Sequence, residues 1–324
     1  MHKIFKYILK SLRKVHEKLW NKTPQLKISE QNPNTASQLI FDTLISNEPC
    51  MIARFGAFEL NTVVNYLGVK SDKKNALNYI RGNEPDWWWT QSLIQYMHTN
   101  AGFFPPTVDK IEEFCKLMIN DIPEVDILGS WLSNEKFVKT ILQSEEVHIR
   151  LLEPFWAKTP WTKALAGKKV LVVHPFNKTI EEQYKKRKVL FKNEILPEFE
   201  LITIPAVQSI GNNNDFTDWF EALDYMKNKI DKVDYDICLI GAGAYGFPLA
   251  AHVKRSGKKA VHLGGSLQLL FGIRGKRWED PNYGVKKWDI PTGSYSSLIN
   301  ENWVRPGENE KPKNANAVEG ACYW

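Results

Sequence analysis

Cysteine is scarce in this chain of 324 residues: Cys50, Cys115, Cys238 and Cys322 stand far apart and form no CxxC pair. That spacing argues against a zinc site, and so small a number fits a reducing cytosol. Cys50 and Cys238 fall inside apolar runs and read as small buried hydrophobes. No stretch of about 18 uninterrupted apolar residues occurs, so no membrane-spanning helix is expected. A secretory leader is not expected either, because lysine and arginine interrupt the first twenty residues. Low-complexity tracts and internal repeats are lacking. The sequence contains no G-x-S-x-G elbow, no Walker lysine motif and no H-E-x-x-H, which removes the hydrolase, P-loop and zincin readings. Glu145, Glu146 and His148 lie too irregularly to make a metal-ligand pattern.

What is present begins with an uneven charge. The chain carries +6 overall, but residues 1–20 hold six lysines and arginines against Glu17 alone, a net of +5, leaving +1 for the remainder. The basic character therefore belongs to the N-terminal tip, and no nucleic-acid partner is expected for the body. In that tip Ile4, Ile8, Leu12, Val15 and Leu19 recur at helical spacing. Such a helix either lies on an anionic membrane through residues 1–20 or docks on its own domain with its lysines solvated. Residues 1–24 read as this helix with a short linker, NKTPQLK, and residues 25–324 as one domain.

The body predicts an α/β fold, a Rossmann-like, mostly parallel sheet with helices on both faces. Helices are expected over 35–46, 57–68 (ending at Gly68), 179–196, 215–231 and 245–257, with a short one over 266–273. Strands are expected near 51–55, 168–176, 199–208, 235–243 and 258–265, with DILGSWL as another short candidate. Residues 69–150 otherwise look mainly helical, and the pattern dissolves after about Gly275.

Candidate site residues cluster at strand ends. Gly241, Gly243 and Gly246 satisfy G-x-G-x-x-G between a strand and a helix, where tight turns and close phosphate approach favour glycine; Tyr245 sits within this turn. A dinucleotide site would place an acid at the end of the following strand, but His262 and glycines stand there. Gly264 and Gly265 close that strand, Gln268 follows a turn later, and Arg274, Lys276 and Arg277 flank Trp278 as a candidate diphosphate clamp. His174 ends another strand as a candidate base or phosphate ligand, and Gln208 and Ser209 sit at the neighbouring edge. Trp87 to Trp89 read as packing residues, with Glu84 and Asp86 beside them as further candidate bases.

The last fragment is ARFGAFE, in which Arg54, Gly56 and Glu59 follow a short strand. It resembles the RFGDGE signature of bacterial GT-D-type glycosyltransferases associated with surface-polysaccharide synthesis. The segment from Ile240 to Trp278 and the tail from Trp303 to Trp324 resemble that group too. The resemblance implies a GT-D-like domain that binds a nucleotide-sugar donor, a UDP-sugar in that family, and serves a glycan or lipid-linked acceptor at the cytoplasmic face of a membrane. It also implies a Mn2+ or Mg2+ ion at the diphosphate, held by an Asp-x-Glu pair. Glu59 matches the glutamate, but Ala57 replaces the aspartate, which puts metal dependence in doubt. Arg54 would contact phosphate or position Glu59, and Gly56 would let the chain pass close to the donor. Two other readings stay open: an NAD(P)-binding oxidoreductase using the glycine turn, and a non-catalytic member of the same family.

Overall fold

The computed structural model describes residues 3–20, 29–209, 215–311 and 321–324. Most of the linker expected after the first helix lies outside them. Seven strands form one sheet: β1 (Cys50–Ala53), β2 (Ile127–Ser130), β3 (Glu145–His148), β4 (Lys169–His174), β5 (Glu200–Pro205), β6 (Ile237–Ile240) and β7 (Lys259–His262). Their order is β3-β2-β1-β7-β6-β4-β5, and every pairing is parallel. The fold class read from the sequence is therefore the observed one.

Parallel strands need long crossovers, and α3 (Ala57–Lys70), α4 (Ala76–Ile80), α5 (Gln91–Thr99), α6 (Val108–Asp121), α7 (Asn177–Lys185), α8 (Trp219–Ile230) and α9 (Gly246–Arg255) lie in them, while α1 (Lys3–Trp20) and α2 (Pro33–Ile45) precede β1 and the one-turn α10 (Leu267–Leu270), α11 (Lys276–Glu279) and α12 (Val285–Trp288) follow β7. Side chains alternate across a strand, so β1 divides itself between two cores. Met51 and Ala53 join the apolar face of α3, α6, α8 and α9, whereas Cys50 and Ile52 face α2, α7 and α10. Burial on both faces explains why the inner strands β1, β4 and β6 are almost wholly apolar. All four cysteines are buried and none forms a disulfide.

Several boundaries differ from the sequence reading. Between 69 and 150 the chain holds two strands, and β3, with two glutamates in four residues, has too little apolar character to announce itself. Gly68 lies inside α3, which runs on to Lys70, because the Pro85–Asp86 backbone packs where a side chain would stand. α7 stops at Lys185, far short of 196. Of the successive cations at 185–188, Lys185 pairs one turn back with Glu182 at 2.6 Å while Arg187 pairs with Glu198 beyond the helix, and Leu190, Ile195 and Leu196 are buried from an irregular backbone. Asp218 caps α8 by accepting from Glu221 N, which supplies the expected acidic cap.

Trp219 opens α8 fully buried, stacked on Tyr245 at 4.8 Å and edge-on to Phe114 at 5.3 Å. It ties α6, α8 and the turn after β6 into one core. Trp219→Ala is expected to cost about 3–5 kcal/mol in urea unfolding; a loss under about 1 kcal/mol would mean that this core does not depend on it.

Candidate active site

The carboxyl ends of the seven strands open onto one cavity of about 430 Å³. That is the crevice open α/β sheets use for ligands, and the volume suits a small molecule. Its lining includes Arg54 after β1, Trp131 after β2, Arg150 and Glu153 after β3, His174 of β4, Gln208 after β5, Gly241 to Tyr245 after β6, and His262 to Gly265 closing β7. The chain after α10, which reads as structureless, supplies the opposite wall with Arg277, Trp278, Tyr283, Lys287 and Trp288, joined by the terminal Tyr323 and Trp324.

Arg54 sits at the centre of this edge. Its guanidinium lies 5.1 Å from the Trp131 ring centroid, and its Nε is buried with no hydrogen-bond partner among the described residues. Burial pushes its pKa down and the Glu59 carboxylate pushes it back up. Glu59 occupies the first turn of α3 and folds back over Gly56, where any Cβ would collide with its carboxylate. Gly56 is thus a seat for Glu59, and Glu59 is a counter-charge for Arg54.

The glycines of the later turn divide in function. A Cβ at Gly241 would strike the His174 ring, and one at Gly246 the His262 ring. Only Gly243 has a left-handed backbone, at φ 54, with open space where its side chain would be. Gly264 admits Arg54, whose Nη1 would be 3.1 Å from a Cβ there, and Gly265 admits Tyr323. Close packing of side chains, rather than phosphate approach alone, demands most of these glycines.

Both cavity histidines are neutral. Burial drives His174 down to about 3, and its Nδ1 accepts from Phe176 N at 2.9 Å, leaving Nε2 to carry the proton. A base at His174 is therefore corrected to a neutral donor. Burial, with Arg54 nearby, likewise lowers His262 to about 3. Its place at the end of β7 holds no acid for a ribose, which speaks against the dinucleotide reading.

Eleven of the candidates meet in the cavity: Arg54, Gly56, Glu59, His174, Gly241, Gly243, Tyr245, Gly264, Gly265, Gln268 and Arg277. Tyr245 hydroxyl pairs with Ser209 at 2.8 Å, and Gln268 donates to the Ile273 and Tyr323 carbonyls, both at 3.2 Å, which anchors the tail. Arg274 and Lys276 do not line it. Arg274 lies 3.7 Å from Glu279, and Lys276 is exposed at the start of α11. Lys276 and Arg277 diverge by about 100° on α11, and Arg274 precedes that helix with its backbone N–H bonded to the Val304 carbonyl, so of the three only Arg277 lines the cavity. Glu84 and Asp86 also lie elsewhere. Glu84 accepts from Trp87 Nε1 and Asp86 from Tyr79 and Thr90, bracing the α4 loop.

Sequence reading missed Trp131, Arg150, Glu153 and Lys287. Glu153 is the chemically telling one. It accepts from Tyr295 Oη at 2.8 Å and Trp156 Nε1 at 3.0 Å, yet burial raises its pKa to about 7, with the hydrogen bonds and Arg150 pulling the other way. An acid before a proline, followed by aromatics, is its only sequence signal. Among the described lining residues four cations, Arg54, Arg150, Arg277 and Lys287, face two carboxylates, Glu59 and Glu153.

A divalent ion does not fit this donor set. Position 57 is alanine, Glu59 is turned toward Arg54, and among the described residues no three His, Cys, Asp or Glu converge.

No family model and no curated relative matches the chain. Two solved structures of domain of unknown function 1792 resemble it in fold, one a selenomethionine-substituted form and one described as having a distinct glycosyltransferase fold. Each aligns over 94% of this chain and 96% of its own length, at 10% identity and a TM-score of 0.34. A likeness this loose carries no inference about the chain's chemistry.

A carboxyl raised to about 7 when folded from 4.5 when unfolded stabilises fully below about pH 4.5, and that contribution is lost as pH climbs through 7. Glu153→Gln should therefore gain stability relative to the parent between pH 4.5 and 8, on the order of 2–3 kcal/mol by denaturant unfolding. A pH-independent difference would show that Glu153 does not titrate there.

Proposed function

We propose that the protein is a glycosyltransferase that takes its sugar from a nucleoside-diphosphate donor, UDP by resemblance. One observation carries this: a strand-end cavity that gathers Arg54, Arg150, Arg277 and Lys287, built around a buried arginine whose Nε has no hydrogen-bond partner among the described residues. A nucleotide sugar brings a doubly charged diphosphate, and charge-assisted bonds to guanidinium are its strongest recognition. Aromatic walls of Trp131, Trp278, Tyr283 and Tyr323 offer faces for the base and sugar.

When the sugar–oxygen bond breaks, the departing diphosphate gains one negative charge. Arg54, Arg277 and Lys287 stabilise it without reorganising, since each is held against aromatic rings: Arg54 at 5.1 Å and Lys287 at 4.1 Å over Trp131, Arg277 at 4.7 Å over Tyr323. Glu59 keeps Arg54 charged and in place. Glu153, near neutral pKa, takes the proton of the attacking acceptor hydroxyl. A neighbouring hollow of about 390 Å³ shares Arg150 and Trp288 with the cavity and gives a glycan or lipid-linked acceptor an aromatic approach. The cations do the work assigned to a metal in the resembled family.

In a thermal-shift panel UDP or another sugar nucleotide should stabilise the protein and NAD(P) should not; the reverse would establish the oxidoreductase reading. By calorimetry Arg54→Ala should weaken nucleoside-diphosphate binding by about 1.5–3 kcal/mol. Arg54→Lys, which preserves charge and bulk, should recover part of it. Chelator should leave the affinity unchanged, and a strict manganese requirement would return the metal to the mechanism. Glu59→Ala should abolish transfer with the fold intact, whereas a chain that binds donor but never transfers or hydrolyses it would be the non-catalytic member.

A further inference from the structure

The first helix docks the wrong way round for a helix that belongs only to its own domain. Leu9 is buried, and the contacts around it are made by cations. Lys6 and Lys10 lie 5.1 and 5.5 Å from the Trp88 ring centroid, Lys10 pairs with Asp86 at 3.3 Å, and Arg13 donates to the Glu84 carbonyl at 3.1 Å over Tyr79. The apolar stripe points away. Ile4, Ile8, Leu12, Val15 and Leu19 are 46–67% exposed, with Trp20 at 68%. Water is a costly neighbour for a continuous apolar face of this length.

We propose that this stripe is a docking surface for an anionic lipid bilayer. Charge decides the occupant. At 100° per residue Lys18 and then Lys14, both exposed, border one edge of the stripe, and the first twenty residues carry +5. Apposing two copies of the stripe would crowd like charges, whereas lipid headgroups neutralise them while the apolar residues enter the acyl boundary. The 18-residue helix, about 27 Å long, lies in the interface plane and does not cross it; among the described residues no helix is long and apolar enough to span a membrane.

The seat of α1 also ties it to the catalytic edge. Lys136 donates to the Gly82 carbonyl within the segment that receives α1, and its neighbour Glu135 accepts from Ser130 and from Trp131 N at the end of β2. A bilayer bound by the stripe therefore sits on the part of the molecule braced to the cavity's own strand ends.

The test is vesicle flotation of the full chain with phosphatidylcholine vesicles, with and without about one third phosphatidylglycerol. The parent should float with the anionic vesicles. Ile8→Glu combined with Leu12→Glu, both on the exposed face, should cut the bound fraction about tenfold or more. Lys14→Ser with Lys18→Ser should lower the partition coefficient about thirtyfold, because each lysine near such a surface is worth about 1 kcal/mol. Unchanged melting temperatures would exclude unfolding as the cause. Equal flotation of the parent and the Ile8/Leu12 variant would overturn the proposal. So would a parent that ignores vesicles but runs as a dimer dissolved by the same substitutions, which would assign the stripe to a second copy. Diphosphate binding is read separately, so neither result depends on the glycosyltransferase reading.

Discussion

The organisation of this protein turns on a buried positive charge. Arg54 leaves the central strand β1 into surroundings whose burial lowers its pKa, opposed first by the Glu59 carboxylate, and its guanidinium lies over the Trp131 face. Removing a guanidinium from water costs several kcal/mol unless it is compensated. The compensation here is partial, since Nε has no hydrogen-bond partner among the described residues. An incompletely satisfied buried cation at the carboxyl edge of a parallel sheet is a site prepared for an anion, and the neighbouring sequence can be read as provision for it. Gly56 gives Glu59 its seat, and Gly264 gives the guanidinium its space.

The sheet explains why distant segments share this site. β1 to β3 run outward in one direction, then the chain crosses to β4 and β5 and returns through β6 and β7, so β7 comes to lie against β1. The order reverses beside β1, which brings the Arg54 turn and the glycine turns after β6 and β7 around one crevice. Arg277 to Trp288 and the terminal Tyr323 and Trp324 then wall the crevice, tied down by Gln268 and by Arg277, whose guanidinium donates to Tyr323 Oη at 3.3 Å.

Much of this could be read in the sequence, because the signals were local. Apolar runs alternating with helical periodicity gave the parallel sheet, and glycines at strand ends marked most of the crevice. What escaped was set by tertiary packing. Glu153 and Trp131 look ordinary along the chain and become functional candidates only when β2 and β3 are seen to end at the same edge. Arg274 and Lys276 look equivalent to Arg277 along the chain, but α11 separates Lys276 from it by direction and Arg274 lies before that helix. The glycine fingerprint was located correctly but for an incomplete reason, since two of its glycines accommodate histidine rings that no motif specifies. Helix α1 shows the opposite case: its amphipathic pattern was plain, yet which face docks depended on Trp88, Asp86 and Tyr79, some seventy residues away.

The central claim is that Arg54 receives a diphosphate in the crevice. A crystal structure of the chain soaked with a sugar nucleotide tests it most directly. The account predicts diphosphate oxygens within hydrogen-bond distance of the Arg54 guanidinium, with the sugar on the side of Glu153. A nucleotide bound elsewhere, with Arg54 still facing only Glu59 and Trp131, would contradict it.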